Sequence, residues 1–232
     1  MTSSVWRLPR GDEGYPAPLQ DLDEPPAALH GIGDAGLVSG IGRNTAVTIV
    51  GSRNPSSYGL EVAEELGYLL ADAGLVVVSG MALGIDAAAH RGALEAAGPT
   101  IAVLGSGPDV VYPRSERRLY ERITSAGAVV SEMPPGTVPG PGCFPKRNRI
   151  MAALGTMTVV VEAAQPSGSL ITAEQAAKLG REVGAVPGRV TSRVARGTNA
   201  LLAEGAGVIR DAQDVLDRMV GVGARTVHRD GP

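Results

Sequence analysis

From Ala46 onward the chain alternates short apolar runs, rich in Val and Ile, with helix-length stretches in which Ala, Leu and Glu recur at helical spacing. Most of these apolar runs end at Gly, Ser or Pro. The pattern predicts strands at Ala46–Val50, Leu75–Ser79, Thr100–Leu104, Ala128–Ser131, Thr158–Glu162 and Glu182–Val186, with a short edge at Val208–Ile209. The stretches between them predict helices at Tyr58–Ala73, Ile85–Ala97, Ser115–Ala126, Arg147–Leu154 and Leu170–Leu179. Strands apolar along their whole length are buried on both faces, and strands that alternate with helices pair in parallel. The expected fold class is therefore α/β: a doubly wound, mostly parallel sheet with helices on both faces.

Ahead of this pattern, Tyr15 to Ile41 is rich in Pro and Gly, and it reads either as an irregular arm across the main domain or as a plain linker. Residues 1–42 are thus expected to form an arm, 43–218 the main domain and 219–232 a flexible tail.

A chain of 232 residues, 44% hydrophobic and 19% charged, has the composition of one globular domain. The first twenty residues carry Arg7, Arg10, Asp12 and Glu13 without a continuous apolar run, so neither a signal peptide nor a membrane span is expected there. The single cysteine, Cys143, gives no internal disulfide and makes no zinc site alone, which fits a reducing cytoplasm. A net charge of −3 argues against a nucleic-acid partner until its distribution is considered. Three segments contain no acid: 35–60 with Arg43 and Arg53, 133–161 with Lys146, Arg147 and Arg149, and 183–203 with Arg189, Arg193 and Arg196.

In a doubly wound sheet, ligands sit beyond the carboxyl ends of the strands, so function is sought in those loops. Gly51-Ser52-Arg53 offers close backbone approach, a hydroxyl and a guanidinium fork suited to phosphate, or else a tight turn with a solvated arginine. The Ser79–Asp86 loop carries Gly80 and Gly84 at GxxxG spacing, which is not the dinucleotide GxGxxG fingerprint, so no nicotinamide or other cofactor is indicated. Asp86 and His90 share a helix face as an acid–base pair, two metal ligands or a structural pair. Without a third ligand no metal is expected, and the structural reading is preferred. Gly105-Ser106-Gly107, followed by Tyr112-Pro113, alone reads as a turn. Lys146, Arg147 and Arg149, with Asn148 among them, stand at an expected helix start, where three cations oppose the dipole unless an anion is near. Ser167-Gly168-Ser169 with Thr172 makes an anion nest or an ordinary N-cap.

Taken in order, GSR, SGxAxGID with AH, TIAVLGSG, YP, FPxRNRI, VVVEA, SGSLITA, AVPG and GTN resemble the DprA/Smf family of DNA-processing proteins, from about Arg43 to about Ile209. The segment from Tyr15-Pro16 to Pro25-Pro26 is similar to the one preceding that domain in the family. The resemblance implies an extended Rossmann-like fold, homodimerisation, sequence-independent binding of single-stranded DNA and delivery of that DNA to the recombinase RecA in natural transformation. By motif it implies DNA contacts at Ser52, Arg53, Lys146, Arg147, Arg149 and the Ser167–Ser169 turn. Gly51, Gly80, Gly84, Asn148 and Thr172 complete the expected phosphate site. Against the family pattern, the N-terminal helical extension and a winged-helix domain after Asp217 are expected to be missing, and Gly155 and Gly184 stand where Ser and a bulky apolar residue are usual.

Aromatic residues make up only 3%, so phosphate contacts are expected to outweigh base stacking. Catalysis is not expected. The alternative is a nucleoside-monophosphate hydrolase of the lysine-decarboxylase-like Rossmann type, whose PGGxGTxxE signature is absent and whose nearest equivalent is Glu174. A mononucleotide sensor without turnover is a third reading.

Overall fold

The computed structural model describes residues 4–140 and 142–221, and among them nine strands form one sheet. In chain order the strands are β1 (Trp6–Pro9), β2 (Ala28–Gly33), β3 (Ala46–Val50), β4 (Val76–Ser79), β5 (Thr100–Leu104), β6 (Ala128–Ser131), β7 (Met157–Val160), β8 (Glu182–Ala185) and β9 (Gly207–Val208). The helices are α1 (Ala35–Ser39), α2 (Ser57–Asp72), α3 (Ile85–Glu95), α4 (Arg117–Ala126), α5 (Cys143–Leu154), α6 (Gly168–Lys178), α7 (Arg196–Ala203) and α8 (Ala212–Val220).

Across the sheet the order is β1-β2-β6-β5-β4-β3-β7-β8-β9, parallel from β6 to β9. The chain winds outward from β3 to β6, then returns to place β7 on the other flank of β3. The crevice between the β3 and β7 tips is thus the topological switch point, where a doubly wound sheet leaves room for a ligand.

Side-chain alternation divides the core. Ala46 and Val50 of β3 face a cluster that includes Ile150 and Leu154 of α5 and Ala173 of α6. Val47 and Ile49 face the opposite cluster, built on α2, α3 and α8. Both faces are therefore covered, as the uninterrupted apolar runs require. Two buried polar side chains of the central strands are paired: the Thr48 hydroxyl donates to Met151 O at 2.7 Å and the Ser79 hydroxyl to Ile49 O at 2.6 Å.

Two expectations need correction. The N-terminal segment is not irregular: β1 and β2 pair antiparallel and extend the sheet beyond β6. The glycines there were read as breakers, yet the Trp6 ring lies over Gly31, its cross-strand partner, and the indole donates to Gly33 O at 2.9 Å. Tyr15 and Leu19 are buried in the same core as α5, so this segment props the helix that carries the cationic motif. At the other end α8 runs to Val220, and most of the expected tail lies outside the described residues.

Candidate functional site

A pocket of about 490 Å³ opens at the switch point. Its lining brings together Gly51, Ser52 and Arg53 after β3, Arg147 and Asn148 from α5, and Ser167, Gly168, Ser169 and Thr172 at the start of α6. These residues are up to 121 positions apart in sequence (Gly51 to Thr172), and the parallel topology delivers them to one edge.

The first wall is fixed by Glu162, just beyond β7. Its buried carboxylate accepts from the Ser56 amide at 2.8 Å and the Ser56 hydroxyl at 2.6 Å, while its carbonyl accepts from the Ser52 amide at 2.7 Å. Ser56 in turn caps α2, accepting from Gly59 N at 3.1 Å. The loop bearing Ser52 and Arg53 is thus tied to β7 at both ends. Sequence reasoning placed Glu162 at a strand end and gave it no role; an acid closing an otherwise apolar strand was the available signal.

The opposite wall is the N-terminus of α6, where Ser167 accepts from Ser169 N at 3.4 Å and exchanges a hydrogen bond with the Ser169 hydroxyl at 2.8 Å. Asn148 donates to Gly168 O at 3.1 Å and so fixes the turn from below. The first-turn amides and the positive end of the helix dipole favour an anion at this wall.

The floor holds a buried cation. Arg147 is 6% exposed, and its guanidinium donates to Gly80 O at 2.7 Å and to Val103 O. Burial lowers its pKa to about 10, with the charge of Asp86 pulling the other way, so it remains protonated at neutral pH. Burial also raises the pKa of Asp86, which lines the same pocket; Arg147 and the amides of Ala82 and Gly80 oppose that rise. His90, one turn along α3, is fully buried and turned elsewhere. The Thr100 hydroxyl already donates to Val77 O at 2.7 Å, so at 2.7 Å His90 Nδ1 must be the donor to it. Burial lowers the His90 pKa to about 3. The pair is thus divided between two environments: Asp86 at the pocket, His90 in the core.

Gly80 and Gly84 do not line this pocket. At Gly80 a Cβ would come within 2.4 Å of Arg147 Nη1, so the missing side chain admits the guanidinium rather than a phosphate. Gly84 takes φ 82°, and a Cβ there would meet Ser52 O at 2.4 Å. Both glycines shape the site indirectly, by letting protein segments approach.

The four-residue cationic motif also divides. Helix α5 begins at Cys143 rather than Arg147, so its cations stand in the second turn and do not oppose the N-terminal dipole. Lys146 and Arg149, three residues apart, share a face that turns to Glu132, at 3.9 and 2.6 Å. Of the three cations, only Arg147 turns into the pocket, beside Asn148. Of the cations expected to contact DNA, Arg53 and Arg147 meet at this pocket, and Lys146 and Arg149 do not line it. Arg53 is exposed, and its guanidinium carbon lies 5.3 Å from the centroid of Phe144, the one phenylalanine of the chain. Tyr112 stacks obliquely against that ring, with centroids 5.4 Å apart. Two of the chain's seven aromatic residues thus stand together beside Arg53, a placement that their overall proportion did not reveal.

A family model, DNA recombination-mediator protein A, matches residues 6–220. The chain belongs to this family. It is 39% identical over 212 residues to the DNA processing protein DprA of Bacillus subtilis, covering 91% of this chain and 70% of that protein. The structure of DNA processing protein A from Streptococcus pneumoniae superposes with a TM-score of 0.86 at 39% identity, over 94% of this chain and 75% of that one. That of DNA processing protein A from Helicobacter pylori, described for its single-stranded DNA binding mode, superposes at 0.83 with 30% identity, over 94% and 96%. The family membership and the mostly parallel Rossmann-like sheet both agree with the sequence reading. No described helix is long and apolar enough to cross a membrane.

Proposed function

We propose that this chain binds single-stranded DNA through its phosphates, without reading base sequence. The observation that carries the reading is the convergence, around one pocket at the switch point, of Arg53, the buried charge of Arg147 and the α6 N-terminus with Ser167–Ser169. Guanidinium forks and helix-terminal amides bind phosphate oxygens equally well under any base. The exposed Tyr112 and half-buried Phe144 at the mouth add π faces on which bases of any identity can stack. The description of the Helicobacter pylori relative supports the same ligand. As in the family, we take the bound strand to be passed to a RecA-type recombinase during DNA uptake, by a homodimer in the cytoplasm.

Binding rather than turnover is favoured by the position of Glu174, which the hydrolase alternative requires as its acid. It is paired with Lys178 at 2.7 Å and lines a separate groove with Leu170 and Leu201.

Titration of a labelled oligo-dT with salt tests the reading. Log affinity is expected to fall by ~0.7 per neutralised phosphate for each log unit of salt. Arg53→Ala is expected to weaken binding while remaining folded, since its guanidinium is exposed and makes no ion pair among the described residues. A salt-independent affinity, or full affinity in the folded variant, would refute it.

A further inference from the structure

The third acid-free segment is not used by the pocket. Arg189, Arg193 and Arg196 lie between β8 and the first turn of α7, all three are exposed, and none makes an ion pair or side-chain hydrogen bond among the described residues. No Asp or Glu occurs from 183 to 203. Unlike Lys146 and Arg149, which share Glu132, these cations have no local counter-charge.

Their backbone is held firmly. The Asn199 side chain closes a two-way amide clamp on Gly188, donating to its carbonyl at 3.0 Å and accepting from its amide at 3.2 Å. Ser192 N donates to Arg189 O at 2.9 Å, turning the chain so that Arg189 folds back toward a single 3-10 turn, Arg193–Ala195, that leads into α7. Arg193 and Arg196, three residues apart across that junction, project on one side. Both stand at the positive end of the α7 dipole, an unfavourable place for a cation unless an anion is nearby.

The loop also abuts the pocket. Strand β8 runs parallel to β7, so Pro187 leaves the sheet at the same edge as Ala163. Gly197 N, next to Arg196, donates to Ala163 O at 2.8 Å, and Ala164 lines the pocket. On the other flank the Tyr58 hydroxyl, at the start of α2, donates to Pro187 O at 3.4 Å, joining the helix that follows the Ser52–Arg53 loop to the base of the arginine loop.

We infer that Arg189, Arg193 and Arg196 form a second phosphate-binding patch, on which a single strand leaving the pocket continues over the β8–α7 side of the sheet. The inference rests on the reading of the pocket as a single-strand site and extends it: the pocket seats a few nucleotides, and the arginine loop seats those that follow.

The test compares the intact chain, the triple variant Arg189→Ala/Arg193→Ala/Arg196→Ala, its Lys counterpart and Arg53→Ala. Each is titrated by fluorescence anisotropy with oligo-dT of roughly 4 and roughly 20 nucleotides, lengths that bracket a single compact binding site. The triple Ala variant is expected to keep its affinity for the short oligonucleotide. For the long one it should lose on the order of tenfold or more at ~0.1 M salt, with a salt slope lower by about 2, three contacts at ~0.7 each. The Lys variant should stay near the intact chain, because a patch of this kind supplies charge rather than a bidentate fit. Circular dichroism of each variant confirms that it is folded. Unchanged affinity and slope for the long oligonucleotide in the triple Ala variant, with Arg53→Ala impaired on both lengths, would overturn the second patch and leave the pocket reading standing. Failure of the intact chain to bind either oligonucleotide would overturn both.

Discussion

Replacing Arg147 by Met removes the floor of the pocket while keeping much of the side-chain volume, and the structure sets the size of the effect. The guanidinium serves two backbone carbonyls, Gly80 O and Val103 O, and is the leading charge favouring ionisation of Asp86. Both side chains are buried, at 6% and 5% exposure, so solvent replaces little of what is lost. Removing one member of a buried charged set costs about 3–5 kcal/mol, chiefly because the remaining charge is left uncompensated. On a domain of ordinary stability, ~5–15 kcal/mol, the variant stays folded with a clearly lower denaturation midpoint. If the uncompensated carboxylate is the reason, Asp86→Asn in the same chain should return part of the loss, with a coupling of roughly 1–3 kcal/mol. Urea unfolding of the two single variants and the double variant at neutral pH measures this. Arg147→Met within ~1 kcal/mol of the intact chain, or a double variant whose losses simply add, would refute the assignment of Arg147 and Asp86 as a coupled buried pair.

Two further outcomes follow from the same core. His90 is held neutral down to about pH 3, whereas an unfolded histidine takes up its proton near 6.5; between those values only the unfolded chain gains the proton. Stability is therefore fully present above pH ~6.5 and falls below it, by roughly 3 kcal/mol at pH 4. His90→Asn, which keeps a donor toward Thr100, should flatten this slope, and parallel pH profiles for the two proteins would contradict it. Gly80→Ala places a Cβ 2.4 Å from Arg147 Nη1, a guanidinium held by two carbonyls, and should destabilise by a few kcal/mol. Gly168→Ala, whose Cβ meets nothing within 4 Å, should be neutral or stabilising; thermal melts of the two glycine variants check both outcomes.

The central strands were legible because they are buried on both faces: Ala46–Val50, Thr100–Leu104 and Ala128–Ser131 fall where their apolar runs do. Strands β1 and β2 were not, since Gly31, Gly33 and Pro25-Pro26 carry breaker chemistry, and only the tertiary packing of Trp6 over Gly31 completes that edge. Helix α8 also went unread, although its N-cap Asp211 accepts from Asp214 N. For the site, the loops could be chosen from topology alone, because a parallel sheet sends every βα loop to one edge. The direction of each cation could not. A helix start misplaced by four residues, Arg147 for Cys143, puts Lys146 and Arg149 in the first turn instead of on a face toward Glu132. The glycines were ambiguous for a similar reason: sequence shows that a backbone can be approached, and only the fold shows that Arg147 and Ser52 approach it.

Hydrogen exchange followed by mass spectrometry, with and without saturating oligo-dT, locates the bound strand without any substitution. Slowed exchange at 51–53 and 167–172 is the expected result, since a strand seated in the pocket covers both of these walls. Unchanged exchange in both walls, with protection confined to the groove lined by Leu170, Glu174 and Leu201 or to the outer face of α4, would contradict the central claim.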